Sequence, residues 1–207
     1  MGKPIVIWPD KVLSRPTAPV ADFGPALQAL LEEMMESLRE AEGIGIAANQ
    51  IGVALRVAWV GRPDGTFFEI VNPELLETSE PVTYEEGCLS VPGEFEQTPR
   101  FRKVKLRYQD RTGVPTTLEA EDRLAHVLQH EIDHLDGTVF VNRLSSLKRD
   151  LIRRKMVKLQ RTRAAEAAHP HSDDEHGEHA HGHEHGHPHQ HHHPAHDPRG
   201  PHGKGED

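Results

Sequence analysis

Residues 122–137 read DRLAHVLQHEIDHLDG, and this stretch decides how the chain is organised. It predicts one helix that stops at Gly137, a residue suited to the turn that follows a last helical position. Within it stands His130-Glu131-Ile132-Asp133-His134. Helical residues four apart lie one above the other on a single face. His130 and His134 can therefore present two ring nitrogens to one ion, with Glu131 placed to hydrogen-bond a water on that ion. The bland alternative is a helix that carries two histidines by chance, because five-residue patterns recur by accident. His126 lies one turn before His130. Adjacent helical turns are about 5.4 Å apart, and one ion at ~2.1 Å from each nitrogen does not readily serve three of them. That points His126 to the pocket wall or to support of the ligands.

Two histidines need a third protein ligand, and a catalytic site leaves the fourth position to water. The candidate is Cys88, in Glu86-Gly87-Cys88-Leu89-Ser90. It is the only cysteine, so no intrachain disulfide forms, and a lone thiol is a small hydrophobe, a nucleophile or a ligand. Burial as an apolar side chain is common for free cysteine. A cysteine nucleophile would need a histidine base but no metal, and it leaves the paired histidines unexplained. A third segment, Gly43-Ile44-Gly45-Ile46-Ala47-Ala48-Asn49-Gln50, is rich in small residues. Read plainly, it is a helix stop and a turn. Read as a site, Gly43, Ile44 and Gly45 let a peptide backbone pair closely beside them, and Gln50 offers an amide donor.

Around these segments the patterning predicts an α+β fold: mostly antiparallel sheets packed around a central metal-binding helix, with a C-terminal helix and a disordered His-rich tail. Residues 24–42 carry Leu27, Leu30, Leu31, Met34, Met35 and Leu38 at helical period, with Pro25 at the start and Gly43 at the stop. Residues 53–76 read as strands joined by a turn at Arg62-Pro63-Asp64-Gly65. A second hairpin spans 103–119 about Asp110-Arg111-Thr112-Gly113. Residues 146–166 predict a closing helix with Leu147, Leu151, Ile152, Met156 and Leu159 on its apolar side.

Taken together, the three segments resemble the signature motifs of the peptide deformylases: GxGxAAxQ, EGCxS and QHExDHLxG. They stand here in that order at 43–50, 86–90 and 129–137, and the resemblance covers roughly residues 3–165. Asn49 departs from the Pro or small residue often found at its position. The resemblance implies an Fe(II) hydrolase, with Zn, Ni or Co able to substitute, held by Cys88, His130 and His134. It implies removal of the formyl group from N-formylmethionyl peptides of nascent proteins, in the cytoplasm. In that scheme a metal-bound hydroxide attacks the formyl carbon, Glu131 is the general base, and the Leu89 backbone N–H and the Gln50 side chain steady the oxyanion. Two rival readings are an HExxH peptidase, against which the Cys88 and glycine segments argue, and a metal-handling protein whose tail is the working part.

Composition bounds the rest. The 207 residues suit one domain, residues 1–168, plus an appendage, residues 169–207. Lys and Arg total 24 against 33 Asp and Glu, a formal charge of -9, which by itself does not argue for nucleic acid. No apolar run approaches the ~20 residues of a membrane span, and the N-terminus lacks a signal-peptide core. Residues 146–166 reverse the local sign with Lys148, Arg149, Arg153, Arg154, Lys155, Lys158, Arg161 and Arg163, and the resemblance implies that this helix docks on the ribosome. The last 39 residues hold 14 of the 17 histidines and no Val, Ile, Leu, Met, Phe, Tyr or Trp. Such a segment is expected to be disordered and to bind divalent metals loosely through neutral imidazoles.

Overall fold

A computed structural model of the chain describes residues 2–168. The tail at 169–207 lies outside the described residues. Three α-helices, three short 3-10 helices and one five-stranded antiparallel sheet are found among the described residues. The α-helices are α1 (Pro25–Glu40), α2 (Asp122–Leu135) and α3 (Ser146–Ala168). The strands are β1 (Gly45–Ala47), β2 (Val57–Gly61), β3 (Phe67–Cys88), β4 (Val91–Gln109) and β5 (Pro115–Glu121), and they pair in chain order. The α+β class expected from the patterning is the one found.

Each helix folds for a local reason. Pro25 opens α1 at a position whose N–H has no helical partner, and Leu27, Leu31, Met34, Met35 and Leu38 form one buried stripe. Burying each such side chain is worth roughly 1.5–3 kcal/mol. The stripe packs on Ile46, Val57 and Trp59 of β1 and β2. Helix α2 buries Ala125, Val127, Leu128, Ile132 and Leu135 against Ile70, Val104, Leu106 and Ala120 of the sheet. It ends at Gly137, which adopts φ 74° and packs so closely on the Arg15 backbone that a Cβ would collide with it.

The long strands β3 and β4 are the largest departure from expectation, which ended the first run near residue 76 and began the second hairpin at 103. They pair from Val71↔Gln109 out to Cys88↔Val91, with register shifts at Val71/Glu74, Leu75/Glu77 and Glu86/Cys88. The last shift lies beside the Leu89–Ser90 turn, so Cys88 is delivered at the tip of a hairpin. The N-terminal segment straps this tip to the first motif: Val6 N–H donates to the Gln50 carbonyl (2.8 Å) and Trp8 N–H to the Ser90 carbonyl (2.9 Å).

Helix α3 corrects one expectation. Ile152 and Met156 are buried and Leu159 is partly so, but Leu147 is 71% and Leu151 49% exposed. A helix turns 100° per residue, and the core touches only the side that carries 152, 156 and 159. Among the described residues, no helix is long and apolar enough to cross a membrane.

Candidate active site

The three motifs converge on one cavity of about 470 Å³, whose walls include Ile44, Gly45, Gln50, Cys88, Leu89, His130 and Glu131. Helix α2 brings His130 and His134 to the same face, and the β3–β4 tip brings Cys88 to meet them. Their ligand-type atoms lie within 4.8 Å of one another, the one such group found among the described residues. Cys88 Sγ is 3.2 Å from His134 Nε2. His126 is not in the group, in keeping with the helical-pitch argument.

Glu86 orients the set. Its carboxylate accepts four donors: His130 Nδ1 at 2.5 Å and Arg100 Nη2 at 2.6 Å on Oε1, Arg100 Nε at 2.9 Å and His126 Nε2 at 3.2 Å on Oε2. Burial would raise this carboxyl, but the hydrogen bonds from His126, His130 and Arg100 more than reverse that and hold it far below the ordinary carboxylate range. An ionised carboxylate only accepts, so His130 donates Nδ1–H to it, and Nε2 is the ring nitrogen left to face a metal. Arg100 continues through Nη1 to Asp133 Oδ2 at 2.6 Å, and Arg143 closes on Asp133 with two bonds at 2.6 and 2.7 Å.

The sequence reading missed Glu86, Arg100 and Asp133 as parts of the site. One signal for Arg100 was present, since it shares strand parity with the buried Val104 and Leu106. Replacing Arg100 by Met removes the guanidinium that faces the buried Glu86 and leaves Asp133 to Arg143 alone. The expected loss is about 3–5 kcal/mol, a fall in melting temperature of roughly 6–20 °C. A melting temperature within ~2 °C of the parent would show the network carries no such charge burden.

Glu131 is buried, and its Oε2 has no hydrogen-bond partner. Burial pushes its carboxyl up to about 7, against the opposing pull of His130. Gly45 faces it so closely that a Cβ there would collide with Glu131 Oε1. That glycine makes room for the carboxylate, a reason its sequence context did not disclose. Gln50 is fixed at both ends of its amide: Ala47 N–H donates to Oε1 at 2.9 Å, while Nε2 reaches Ser90 Oγ at 3.2 Å and Cys88 Sγ at 3.6 Å. Asn49, the departure from the motif, is fully buried and donates Nδ2 to the His134 carbonyl at 2.5 Å. Gln129 fastens α2 to β4, with Nε2 on the Phe101 carbonyl (2.7 Å) and Oε1 taking the Phe101 N–H (2.9 Å).

These residues suit a metal ion. An ion about 2.0–2.3 Å from nitrogen and sulfur ligands holds tetrahedral donors roughly 3.6 Å apart, close to the Cys88–His134 spacing. Glu131 Oε2 is buried and unpartnered beside this group, and His134 turns Nε2, not Nδ1, toward Cys88 Sγ. Burial lowers the basicity of His130, but its bonds to Cys88 and Glu86 raise it well above the ordinary imidazole value, whereas burial drives His134 well below it. Two imidazoles, one thiol and a buried carboxylate facing a mostly apolar cavity define a hydrolase site of the metal-dependent class.

Comparison with known proteins narrows that class. The polypeptide deformylase family model matches residues 2–150. The chain is 43% identical over 166 residues to the peptide deformylase of Acidobacterium capsulatum, spanning 78% of this chain and 97% of that one. It is 45% identical over 159 residues to that of Desulfotalea psychrophila, spanning 74% and 94%. Among solved structures, a peptide deformylase from Legionella pneumophila superposes with a TM-score of 0.74 at 41% identity over 79% of this chain and 98% of that one. One from Ehrlichia chaffeensis in complex with actinonin gives 0.75 at 37% identity over 77% and 98%. The chain belongs to the polypeptide deformylase family, and it is a hydrolase.

Proposed function

We propose that this enzyme removes the formyl group from the N-terminal formyl-methionine of newly synthesised proteins, in the cytoplasm, with a divalent ion held by Cys88, His130 and His134. The observation that carries the mechanism is the unpartnered Oε2 of Glu131 in the cavity that these three residues line or adjoin. Fe(II) fits the donor set, as do Zn, Ni and Co, and the bound ion supplies Lewis-acid activation of water and of the formyl oxygen. Glu131 accepts the proton of the attacking water and returns it to the leaving amine. The Leu89 N–H and Gln50 Nε2 donate to the formyl oxygen as it becomes negative, and each such donor is worth roughly 3–4 kcal/mol of barrier. The substrate backbone lies along Gly43, Ile44 and Gly45, where β1 forms an edge of the sheet. Formate release from a formyl-Met-Ala peptide, with no cleavage of the unformylated peptide, supports this reading. Cleavage of an internal bond instead would assign the site to a peptidase.

Helix α3 serves as a docking face for the acidic surface of the ribosome. Two of its lysines are spent within the fold, Lys148 on Glu96 at 2.6 Å and Lys155 on Glu94 at 2.9 Å. Arg153 lies over the Trp8 ring at 5.8 Å. Arg154 and Lys158 make no ion pair among the described residues. Arg154→Glu with Lys158→Glu is expected to weaken co-sedimentation with ribosomes at low salt by about 10-fold, and raising the salt should do the same to the parent. Unchanged co-sedimentation would remove α3 from this role.

Residues 1–168 act in this proposal as the catalytic domain and residues 169–207 as a metal-buffering tail. The full chain should bind several more Ni or Zn ions at pH 7.5 than a chain ending at Ala168, and lose them as pH falls through ~6.5. Equal stoichiometry in the two chains rules the tail out as a metal store.

A further inference from the structure

His126 sits one helical turn before His130, and both rings reach the same carboxylate. His130 Nδ1 bonds Glu86 Oε1, and His126 Nε2 bonds Glu86 Oε2 at 3.2 Å. Arg100 bridges the two oxygens from the other side through Nη2 and Nε. The carboxylate is thus held by three side chains, and its own side chain is 1% exposed. His126 is itself held: its ring stacks on Tyr84 with centroids 4.6 Å apart and planes 11° from parallel. It also lines the cavity, as Glu86 and His130 do, and it is the donor to Glu86 Oε2 on the cavity side.

We infer that His126 is a positioning residue: by donating to Glu86 Oε2 it keeps the Glu86 carboxylate aligned on His130 and so keeps His130 Nε2 aimed at the metal position. The inference rests on the proposed ligand set of Cys88, His130 and His134. The physical reasoning is that a carboxylate with one oxygen freed can tilt toward water, and the tilt is passed directly to the 2.5 Å bond that sets the His130 ring. Partners of a ligating imidazole are commonly worth 10–100-fold in metal affinity, and His126 acts one link further out, so the lower end is expected. The competing role is that of a cavity wall, which would touch substrate binding and leave the metal alone.

The test uses the full chain loaded with Co(II). Cys88 is the only cysteine in the sequence, so the sulfur-to-cobalt charge-transfer band reports this site and is blind to the tail histidines. The band is followed after adding a chelator, and KM and kcat are measured on freshly loaded enzyme. His126→Leu is expected to lose the band about 10-fold faster than the parent, with native far-ultraviolet circular dichroism. His126→Gln, whose amide nitrogen can stand where Nε2 stood, is expected to stay within about 3-fold of the parent. A parent-like decay in His126→Leu, a change in KM alone, or a Gln variant as labile as Leu would each overturn the inference. A parent that shows no charge-transfer band at all would overturn the ligand set, and this inference with it.

Discussion

Glu131→Gln is expected to keep a full metal complement and to lose about 10²–10⁴-fold in kcat, the range a positioned general base supplies. The amide preserves the shape that Gly45 accommodates and can still hydrogen-bond water, but it cannot take a proton. The same variant carries a stability signature of opposite sign. A carboxyl whose folded value is raised to about 7 is favoured in its protonated form by the fold, so its contribution is full at low pH and is lost as pH rises through about 7. Metal-free Glu131→Gln should therefore melt no lower than the metal-free parent at pH 8, whereas at pH 5 any advantage disappears. Turnover near the parent rate in a fully metallated Gln variant would remove Glu131 from the role of base.

Cys88→Ala is expected to abolish tight metal binding. An outer partner of a metal ligand is worth up to roughly 100-fold, and loss of a ligand itself should exceed that. The thiol faces His134 Nε2 at 3.2 Å, and nothing else near it offers a replacement donor of comparable softness. Cys88→Asp restores a donor of harder character and should bind more weakly than the parent but more tightly than Ala. The measurement belongs in a chain ending at Ala168, so that the 14 tail histidines do not mask the site. Metal binding by Cys88→Ala as tight as the parent's would show that Cys88 is not a ligand.

The helices and the shared face of His130 and His134 were legible because each is written in a short-range period. His130 and His134 four apart, and the Leu and Met stripe of α1, carry their geometry in their spacing. The outer half of β3 was not legible, because residues 76–81 are all exposed and interrupt the alternation that would mark one continuous strand. Glu86 and Arg100 were hidden for a related reason. They are charged residues buried only because they meet each other across the paired strands, and that pairing depends on register shifts no local pattern announces. The exposed Leu147 and Leu151 show the reverse failure, since apolar residues at helical spacing say nothing about how far the core extends.

Metal content and formate release, measured on one anaerobically prepared sample of the full chain, address the proposed chemistry most directly. Formate from formyl-Met-Ala peptide should rise in proportion to ion held at the Cys88 site, vanish on chelation and return when Fe(II) is restored. Formate release that persists undiminished after the ion is removed would contradict the account.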